Sequence, residues 1–282
     1  MATIQESVKT FLDAASATAM VEVARAKGST PREAGAYMLV SLKAIHGTIG
    51  GGQLEFMAID QARQMLADVK GLRELMLDVP LGPEIGQCCG GRVEVLIRLV
   101  DDNMKAELIE GAEEEDRQLP HIYLFGGGHV GHALASAALL LPVKVTVVET
   151  RSEALEGMPA GVVVKLTSVP EEMVRSAPAG AAFVVLTHDH ALDFLIVSEA
   201  LKRTDAAYVG MIGSKTKKAT FKSWFMKSAN GNEADFSRLV SPIGGDTVRD
   251  KRPAVIAALA AAEIITALAA YSKEKTDNAF SG

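Results

Sequence analysis

Cysteine is scarce in this chain of 282 residues, and its 2 cysteines, Cys88 and Cys89, are neighbours. Adjacent cysteines form a poor disulfide, because their Cβ atoms reach the required geometry only with backbone strain. They also lack the spacing of paired zinc ligands and of a C-x-x-C redox motif. The sequence therefore argues against a disulfide framework and an ordinary zinc site, and it fits a reducing compartment.

Positive charge is not in excess either. The formal net charge is −6, whereas a general nucleic-acid-binding protein usually presents a basic face. The first ten residues contain no basic segment followed by an apolar run, so no secretion signal is predicted. The longest apolar stretch, residues 253–271, is rich in alanine and carries Glu263, which is more typical of a buried helix than of a membrane span. We expect a cytoplasmic protein that binds neither nucleic acid nor membrane.

The two cysteines lie in a glycine-rich turn at residues 86–91, between Gln87 and the pair Gly90 and Gly91. Glycine backbone can approach a ligand closely, and successive N–H groups in a tight turn can bind an anion. A thiol beside such donors tends toward the thiolate, which is a nucleophile and a soft metal ligand. The alternative is that both cysteines are small, inert residues at the start of a strand.

A second glycine run, Gly50, Gly51 and Gly52, directly precedes a helical pattern that begins at Gln53. Free N–H groups and the helix dipole favour an anion at such a helix start. A simple chain reversal between a strand and a helix explains the run equally well. Alternating and helical patterns around the two turns predict a small α+β domain over residues 1–108, with a helix at 6–17 and strands at 20–26, 36–40, 72–79 and 91–100.

Residues 110–116 are mainly acidic and show no apolar periodicity. Such a charge run is typical of a solvated segment. We therefore predict an acidic linker at residues 109–118 that separates the first domain from the rest of the chain.

A strand pattern at residues 121–125 leads into Gly126-x-Gly128-x-x-Gly131 and then into a helix. This is the setting that a dinucleotide-binding glycine motif requires. The next strand ends in Glu149, close to the position at which Rossmann folds hold ribose hydroxyls. Strands and helices alternate further, so the predicted fold class is α/β, with a doubly wound parallel sheet over residues 119–282. We hypothesise that Gly128 must stay small, because its N–H faces a ligand or packs against the helix.

Polar loops follow later strands of this sheet. His188, Asp189 and His190 follow one strand, and they either line a site or form a helix N-cap through Asp189. Lys215, Lys217 and Lys218 follow another, as phosphate ligands or as a solvated basic face. On these residues alone, the rival functions are an NAD(P)-dependent oxidoreductase, a thiol redox protein and a scaffold that binds only proteins.

Several of these motifs, in this order, resemble those of the XdhC/CoxI family. The N-terminal ones are Gly-Ser-Thr-Pro-Arg at residues 28–32, the glycine run with its flanks at 47–55, and the cysteine turn at 86–91. The C-terminal ones are at residues 125–131, 187–190, 208–214 and 241–244. The match spans roughly residues 7–271, with one departure at residues 246–253, where the family usually has a threonine-proline with acidic residues.

The resemblance implies a maturation factor without turnover. Proteins of this family bind the molybdenum cofactor, hold it while a cysteine desulfurase supplies its sulfido ligand, and deliver it to apo xanthine dehydrogenase. It also implies that a cysteine of the turn binds the cofactor. We favour Cys89 over Cys88 as the molybdenum ligand, because Cys89 directly precedes the glycine pair. The expected binding surface further includes Gln87, both glycine turns, the Rossmann glycines with Glu149, and His188. We further expect a homodimer and contacts with other proteins of molybdenum cofactor biosynthesis, whereas bound NAD(P) is the weaker expectation.

Overall fold

The computed structural model describes residues 3–68, 70–82 and 90–280. The chain divides into two compact units, residues 2–118 and 119–282. Gln87, Cys88 and Cys89 lie outside the described residues, so the predictions made for them concern positions whose geometry is not described.

The first unit is an antiparallel sheet with helices on both faces. Its strands are β1 (Ala19–Lys27), β2 (Tyr37–Val40), β3 (Ile45–Gly47), β4 (Glu74–Pro80) and β5 (Arg92–Leu99), in the order β3-β2-β1-β5-β4. Its helices are α1 (Ile4–Ala14), α2 (Gly52–Ala67) and α3 (Asp102–Gln118). The predicted strands are therefore present, and β3 is an addition that the sequence analysis missed.

Strand alternation distributes the core of this unit over two layers. Met38 and Val40 of β2 join the apolar cluster beneath α2, whereas Leu39 joins a cluster with Val8 of α1 and Leu108 of α3. Successive side chains of a strand point to opposite faces, so β2 contributes to both layers. This arrangement makes α1 and α3 one covering layer and α2 the other.

The predicted acidic linker at residues 109–118 is wrong, because these residues are the C-terminal part of α3. Leu108 and Ala112 are one helical turn apart and buried in the cluster beneath α1 and α3. The Asp116 carboxylate also accepts hydrogen bonds from Ile4 N and Gln5 N, at 3.1 Å and 2.8 Å, and so satisfies free N–H groups at the start of α1. The narrow apolar stripe and the capping carboxylate thus stabilise a helix here, although most exposed positions of the segment are acidic.

The second unit is a parallel sheet in the Rossmann strand order. Its strands are β6 (His121–Phe125), β7 (Lys144–Glu149), β8 (Val163–Leu166), β9 (Ala182–Val185), β10 (Tyr208–Met211) and β11 (Leu239–Val240), in the order β11-β10-β9-β6-β7-β8. All neighbouring pairs are parallel, and β6 lies beside β7 with Leu124 opposite Val147. Renumbered from β6, this order is 3-2-1-4-5-6, so the predicted α/β fold class is confirmed.

Helices cover both faces of this sheet, as a doubly wound fold requires. One face carries α4 (His129–Ala138) and α9 (Pro253–Phe280), and the other carries α5 (Glu171–Ser176), α6 (His190–Lys202) and α7 (Lys215–Ser228). The short helix α8 (Glu233–Ser237) precedes β11. The first and fourth strands in chain order, β6 and β9, are neighbours, so ligands of such folds are expected outside their carboxyl ends.

Helix α9 contains a stretch, Pro253–Asp277, that is long and apolar enough to cross a membrane by length and composition alone. Within the described residues it is the one helix with this property, which core helices also share. Ala257, Ala260, Ile264 and Leu268 are buried in the cluster with α4 and the sheet. The helix therefore has the packed face that the sequence analysis expected.

Candidate functional site

The end of the cysteine turn is held against the loop at residues 28–32. Ser29 and Gly90 form a parallel β-bridge. A Cβ atom added to Gly91 would lie 2.3 Å from the carbonyl oxygen of Ser29 and 2.7 Å from that of Lys27. No side chain fits at that distance from fixed backbone, so Gly91 is required for this approach.

Hydrogen bonds also fix both ends of the segment that carries the cysteines. Gly90 N donates to Leu81 O at 2.9 Å, and Leu81 N donates to Gly91 O at 2.8 Å. These bonds continue the pairing of β4 with β5. The cysteines therefore belong to the connection between two paired strands, and its exit lies beside Ser29.

The glycine run contacts the other side of the same loop. A Cβ atom added to Gly50 would lie 2.4 Å from Pro31 Cβ and 3.5 Å from Arg32 Cγ. Gly50, Gly51 and Gly52 have φ values of 122°, 80° and 67°, which residues with a side chain rarely adopt. The loop at residues 28–32 thus joins both glycine turns, and we name this meeting of three segments the three-loop junction.

The glycine run holds a carboxylate of the chain itself. Glu55 Oε2 accepts hydrogen bonds from Ile49 N at 3.1 Å and Gly51 N at 3.2 Å, and from the Thr48 hydroxyl at 2.5 Å. These donors are the kind that we expected to meet an external anion. The anion-binding geometry is therefore present, but two N–H groups of the run and its flank already have a partner.

A cavity of about 350 Å³ lies beside the three-loop junction, within the first unit. Its lining includes the polar side chains of Arg32, Tyr37, His46, Thr48 and Glu115. Burial and the negative charge of Glu115 both raise the pKa of Tyr37, so that phenol stays neutral at physiological pH. The cavity combines a cation, a carboxylate and an aromatic ring.

The two charged residues of this cavity, Arg32 and Glu115, are exposed and unpaired. Among the residues that the structure describes, the side chains of Arg32 and Glu115 have no hydrogen-bond or salt-bridge partner, whereas Glu113, Glu114 and Asp116 beside Glu115 each have one. Glu115 was not among the predicted site residues, because it lies in the acidic run. Its place in the cavity depends on the proximity of α3 to β2, and no local sequence pattern reveals that proximity.

The Rossmann glycines have different roles. Gly126 has a φ of 120°, and a Cβ atom there would lie 2.8 Å from the backbone of Leu186. A Cβ atom on Gly131 would lie 2.1 Å from Gly126 O, so Gly131 permits close approach of α4 to the loop. Gly128 has a φ of −73°, and an added Cβ meets nothing within 4 Å. The hypothesis that Gly128 must stay small for packing is therefore wrong, whereas a contact of this exposed residue with a ligand stays a prediction.

Glu149 is turned inward rather than toward a ligand. Its side chain is 5% exposed, and its oxygens accept hydrogen bonds from Gly127 N at 2.9 Å, Thr150 N at 2.8 Å and Arg151 N at 3.2 Å. Burial alone would raise its pKa, but these hydrogen bonds and the Arg151 guanidinium outweigh burial and lower the pKa to about 2.

The crevice beside Glu149 is where a Rossmann fold would place a ribose. The cavity that Gly126, Glu149, Thr187 and Leu192 help to line measures about 10 Å³. The carboxylate expected to hold ribose hydroxyls instead holds the glycine loop, so these residues do not fit NAD(P) in the usual Rossmann mode. The structure thus differs from a usual Rossmann dinucleotide site in the partner of the glycine loop, whereas the fold is the same.

We expect Glu149→Gln to lower the free energy of unfolding at pH 7 by about 3 kcal/mol, because each pKa unit corresponds to about 1.4 kcal/mol. The folded-state pKa is depressed to about 2. The contribution is therefore full above the unfolded pKa of about 4.5 and is lost as the pH falls toward 2. Urea unfolding, followed by fluorescence of Trp224 in the second unit, should show less than half of the difference at pH 3.

The matched control for this experiment is Glu156→Gln, which removes an exposed carboxylate near the same loop. It should leave the unfolding curve unchanged at both pH values. An equal loss for Glu149→Gln at pH 7 and pH 3 would contradict the electrostatic role of Glu149.

The His188 loop is a helix cap. Asp189 Oδ1 accepts hydrogen bonds from Ala191 N at 2.8 Å and Leu192 N at 3.2 Å, at the start of α6. His188 and His190 are exposed, and no metal-binding group of histidine, cysteine and acidic side chains occurs among the described residues. The N-cap interpretation therefore explains Asp189, and His188 stays a candidate only for lining a surface.

A buried ion pair that the sequence analysis missed joins this loop to the next one. Lys217 is 8% exposed and Asp193 fully buried, and Lys217 Nζ donates to the Asp193 carboxylate and to Ile212 O. Asp193 also accepts a hydrogen bond from the Thr187 hydroxyl at 2.6 Å. Lys217 is therefore neither a solvated basic group nor a free phosphate ligand. The sequence signal for this pair was Asp193, an acidic residue on an otherwise apolar face of α6.

A carboxylate of α9 closes the loop at residues 241–245. Glu263 Oε2 of α9 accepts hydrogen bonds from Gly244 N at 2.6 Å and from the Tyr208 hydroxyl at 3.1 Å. The sequence analysis noted Glu263 only as a charge in an apolar stretch. The loop at 241–245 is thereby tied to α9 and to β10.

Comparison with known families agrees with this two-part architecture. A family model for the XdhC Rossmann domain matches residues 122–264, and a model for the XdhC and CoxI family matches residues 11–76. The chain belongs to the XdhC family. The Rossmann match lies within the second unit, and the match at residues 11–76 lies within the first unit and includes the loop at residues 28–32 and the glycine run.

Two relatives place this XdhC-family chain among known proteins. It is 26% identical over 262 residues to an uncharacterized protein, YqeB, of Escherichia coli K12, with 88% of this chain and 43% of that protein covered. The chain thus spans less than half of that relative's length. A crystal structure titled as a xanthine dehydrogenase from Bacillus halodurans aligns with a TM-score of 0.76 and 17% identity, over 95% of this chain and 96% of that one. This second likeness supports the fold.

Proposed function

We propose that this XdhC-family protein binds the molybdenum cofactor and holds it during sulfuration for delivery to apo xanthine dehydrogenase. The observation that carries the proposal is the three-loop junction, where the loop at residues 28–32 contacts both the glycine run and the end of the cysteine turn at Gly90 and Gly91. Gly91 contacts Ser29, and Gly50 contacts Pro31, at distances that only glycine permits. The contact at Gly91 extends the pairing of β5 with β1 and β4. The contact of Gly50 with Pro31 lies outside that pairing and brings the glycine run to the same loop, as we expect of a binding site.

The proposed chemistry places a thiolate on the cargo. Cys89 directly precedes Gly90 in the sequence, so its backbone is one bond from the junction. Thiolate sulfur suits a soft metal centre, and Cys89 is the proposed ligand of the molybdenum, with Cys88 as the weaker candidate. A sulfido ligand hydrolyses in water, so a protein that shields the bound cofactor has a clear role.

The partners follow from this role. A cysteine desulfurase supplies the sulfur, apo xanthine dehydrogenase receives the loaded cofactor, and other cofactor biosynthesis proteins supply it, while the homodimer stays a prediction. Turnover of a metabolite is not part of the proposal. An oxidoreductase that uses Glu149 for a ribose lacks support, because Gly127, Thr150 and Arg151 already occupy that carboxylate.

The purified protein should carry or take up the cofactor. We expect oxidation of the loaded protein to release a fluorescent pterin in a ratio near one per chain. We also expect the loaded protein to activate apo xanthine dehydrogenase faster than free cofactor at equal concentration. An unrelated protein at the same concentration is the control for non-specific protection.

Two results would contradict the proposal. One is a protein that neither copurifies with pterin nor binds added cofactor. The other is bound cofactor that apo xanthine dehydrogenase cannot receive. Nicotinamide absorbance changes with candidate substrates would instead favour the oxidoreductase.

A further inference from the structure

The phosphate of a pterin cofactor needs a partner, and the glycine run is a poor one in this chain. Ile49 N and Gly51 N already donate to Glu55. An incoming phosphate would have to displace that carboxylate, and two adjacent anions repel each other. The glycine run is therefore a closed anion site, and its neighbourhood must supply any external phosphate with other donors.

The cavity beside the run supplies a suitable donor. The Arg32 stem packs against Gly50, with its Cγ 3.5 Å from the position of an added Cβ. Its guanidinium has no salt-bridge partner within the described part of the chain. Guanidinium groups bind phosphate with two parallel hydrogen bonds, and His46 lines the same cavity with further ring nitrogens.

The same cavity offers an acceptor for a different kind of group. Glu115 on α3 lines it together with Tyr37, and its carboxylate is unpaired among the described residues. A carboxylate accepts two hydrogen bonds side by side. Its natural complement is a planar ring edge with two adjacent N–H donors, such as the 2-amino-4-oxopyrimidine edge of a pterin. Tyr37 provides an aromatic ring beside that edge.

We propose that the cavity between β2, β3 and α3 binds the pterin head of the cargo, with Glu115 on the donor edge of the pterin and Arg32 on its phosphate. The inference rests on the proposed function and names the recognition site within it. Arg32 and Glu115 are both exposed, so water solvates their charges in the free protein, and a ligand that carries both complements would replace that water. The volume of about 350 Å³ is of the size expected for small-molecule sites.

The site also explains the position of the three-loop junction. Arg32 belongs to the loop at residues 28–32, which contacts Gly91 through Ser29 and the glycine run through Pro31. A pterin in the cavity would lie beside the junction at which the cysteine turn ends. The pterin of the cofactor would then bind in the cavity, and its metal would bind at the cysteine turn of the same unit.

The test uses a pterin without metal or dithiolene, so that it does not depend on a cysteine. Neopterin monophosphate is titrated into the full-length protein and followed by pterin fluorescence, with unphosphorylated neopterin and adenosine monophosphate as comparison probes. Adenosine monophosphate has the phosphate but lacks the paired donor edge, so it should bind much more weakly than neopterin monophosphate.

Two variants separate the two contacts. Glu115→Gln should weaken both neopterin probes by about 10- to 100-fold, the effect of losing charge-assisted hydrogen bonds. Arg32→Gln should weaken neopterin monophosphate by a similar factor and leave unphosphorylated neopterin unchanged. The controls are Glu114→Gln, which removes the adjacent carboxylate on α3, and Arg25→Gln, which removes an exposed arginine that pairs with Glu94. Neither control residue lines the cavity.

Several outcomes would overturn the cavity assignment. These are wild-type protein that does not bind neopterin monophosphate, adenosine monophosphate that binds as tightly, or Glu115→Gln and Arg32→Gln variants with wild-type affinity. If the protein still takes up the intact cofactor in those cases, the proposed function survives and only the pterin site is wrong. If the protein binds no intact cofactor, the proposed function itself fails.

Discussion

Cys89→Ala is expected to abolish transfer of the molybdenum cofactor while leaving the fold intact. The thiolate is the proposed ligand of the metal, and a direct metal–sulfur bond has no substitute in a methyl group. Loss of contacts around metal ligands costs about 10- to 100-fold in affinity, so loss of the ligand itself should cost about 100-fold or more. Activation of apo xanthine dehydrogenase should fall in parallel.

The neighbouring cysteine provides the matched control. Cys88→Ala removes the same atoms one residue earlier and should retain most of the cofactor affinity. Both substitutions change little volume, so an unfolding curve like that of the wild type is expected for each. Cofactor titration and activation of apo xanthine dehydrogenase are measured on both variants and on the double variant.

Each result of this comparison has a distinct meaning. Loss in Cys88→Ala alone would transfer the ligand role to Cys88. Wild-type binding and activation in both single variants and in the double variant would falsify the thiolate hypothesis. The contact with the cofactor would then pass to the glycine backbone of the three-loop junction. Neopterin monophosphate binding would be unaffected by any of these changes.

The regular elements could be predicted because their patterns are local. Strands β6 and β7 read as apolar runs, and the glycine motif between them marks the start of α4. Helix α3 was missed because its buried stripe, Leu108 and Ala112, is narrow and its exposed positions are acidic. Helix formation there depends on packing against α1, which is tertiary information.

The positions of the glycine loops could be predicted, but their partners could not. Glu55, Glu149 and Glu263 each accept a hydrogen bond from the backbone of a glycine-rich loop. From sequence, a loop with free N–H groups indicates an anion, and it does not say whether the anion is a ligand or a side chain of the chain. Glu55 follows Gly51 by one helical turn, which was a usable signal, whereas Glu263 reaches Gly244 only through the packing of α9.

The buried pair of Asp193 and Lys217 illustrates the same limit. Sequence patterns treat lysines after a strand as solvated or as phosphate ligands. In the structure, Lys217 reaches Asp193 and the Ile212 carbonyl and so links two loops at the carboxyl edge of the sheet. The three nearby lysines have different partners: Lys215 pairs with Asp246, Lys217 with Asp193, and Lys218 Nζ donates to Leu239 O at 3.2 Å. Sequence patterns do not distinguish them.

Gly131→Ala is expected to destabilise the second unit by about 1–3 kcal/mol or more, the usual cost of overpacking. The added Cβ would lie 2.1 Å from Gly126 O, which is backbone and cannot rotate away. Helix propensity alone predicts the opposite sign, because alanine is favoured over glycine within a helix by about 1 kcal/mol. The sign of the change therefore distinguishes close approach of α4 from intrinsic helix preference.

The same substitution three residues earlier is the control. Gly128 has an ordinary extended conformation, and an added Cβ there meets nothing within 4 Å. Gly128→Ala should therefore cost less than about 1 kcal/mol, the typical effect of a poorer N-cap. Urea unfolding at pH 7, followed by the fluorescence of Trp224 in α7, measures both variants in the unit concerned. Stability of Gly131→Ala at or above that of the wild type would show that α4 can move away from Gly126 without loss, and the assigned role of Gly131 in packing would be wrong.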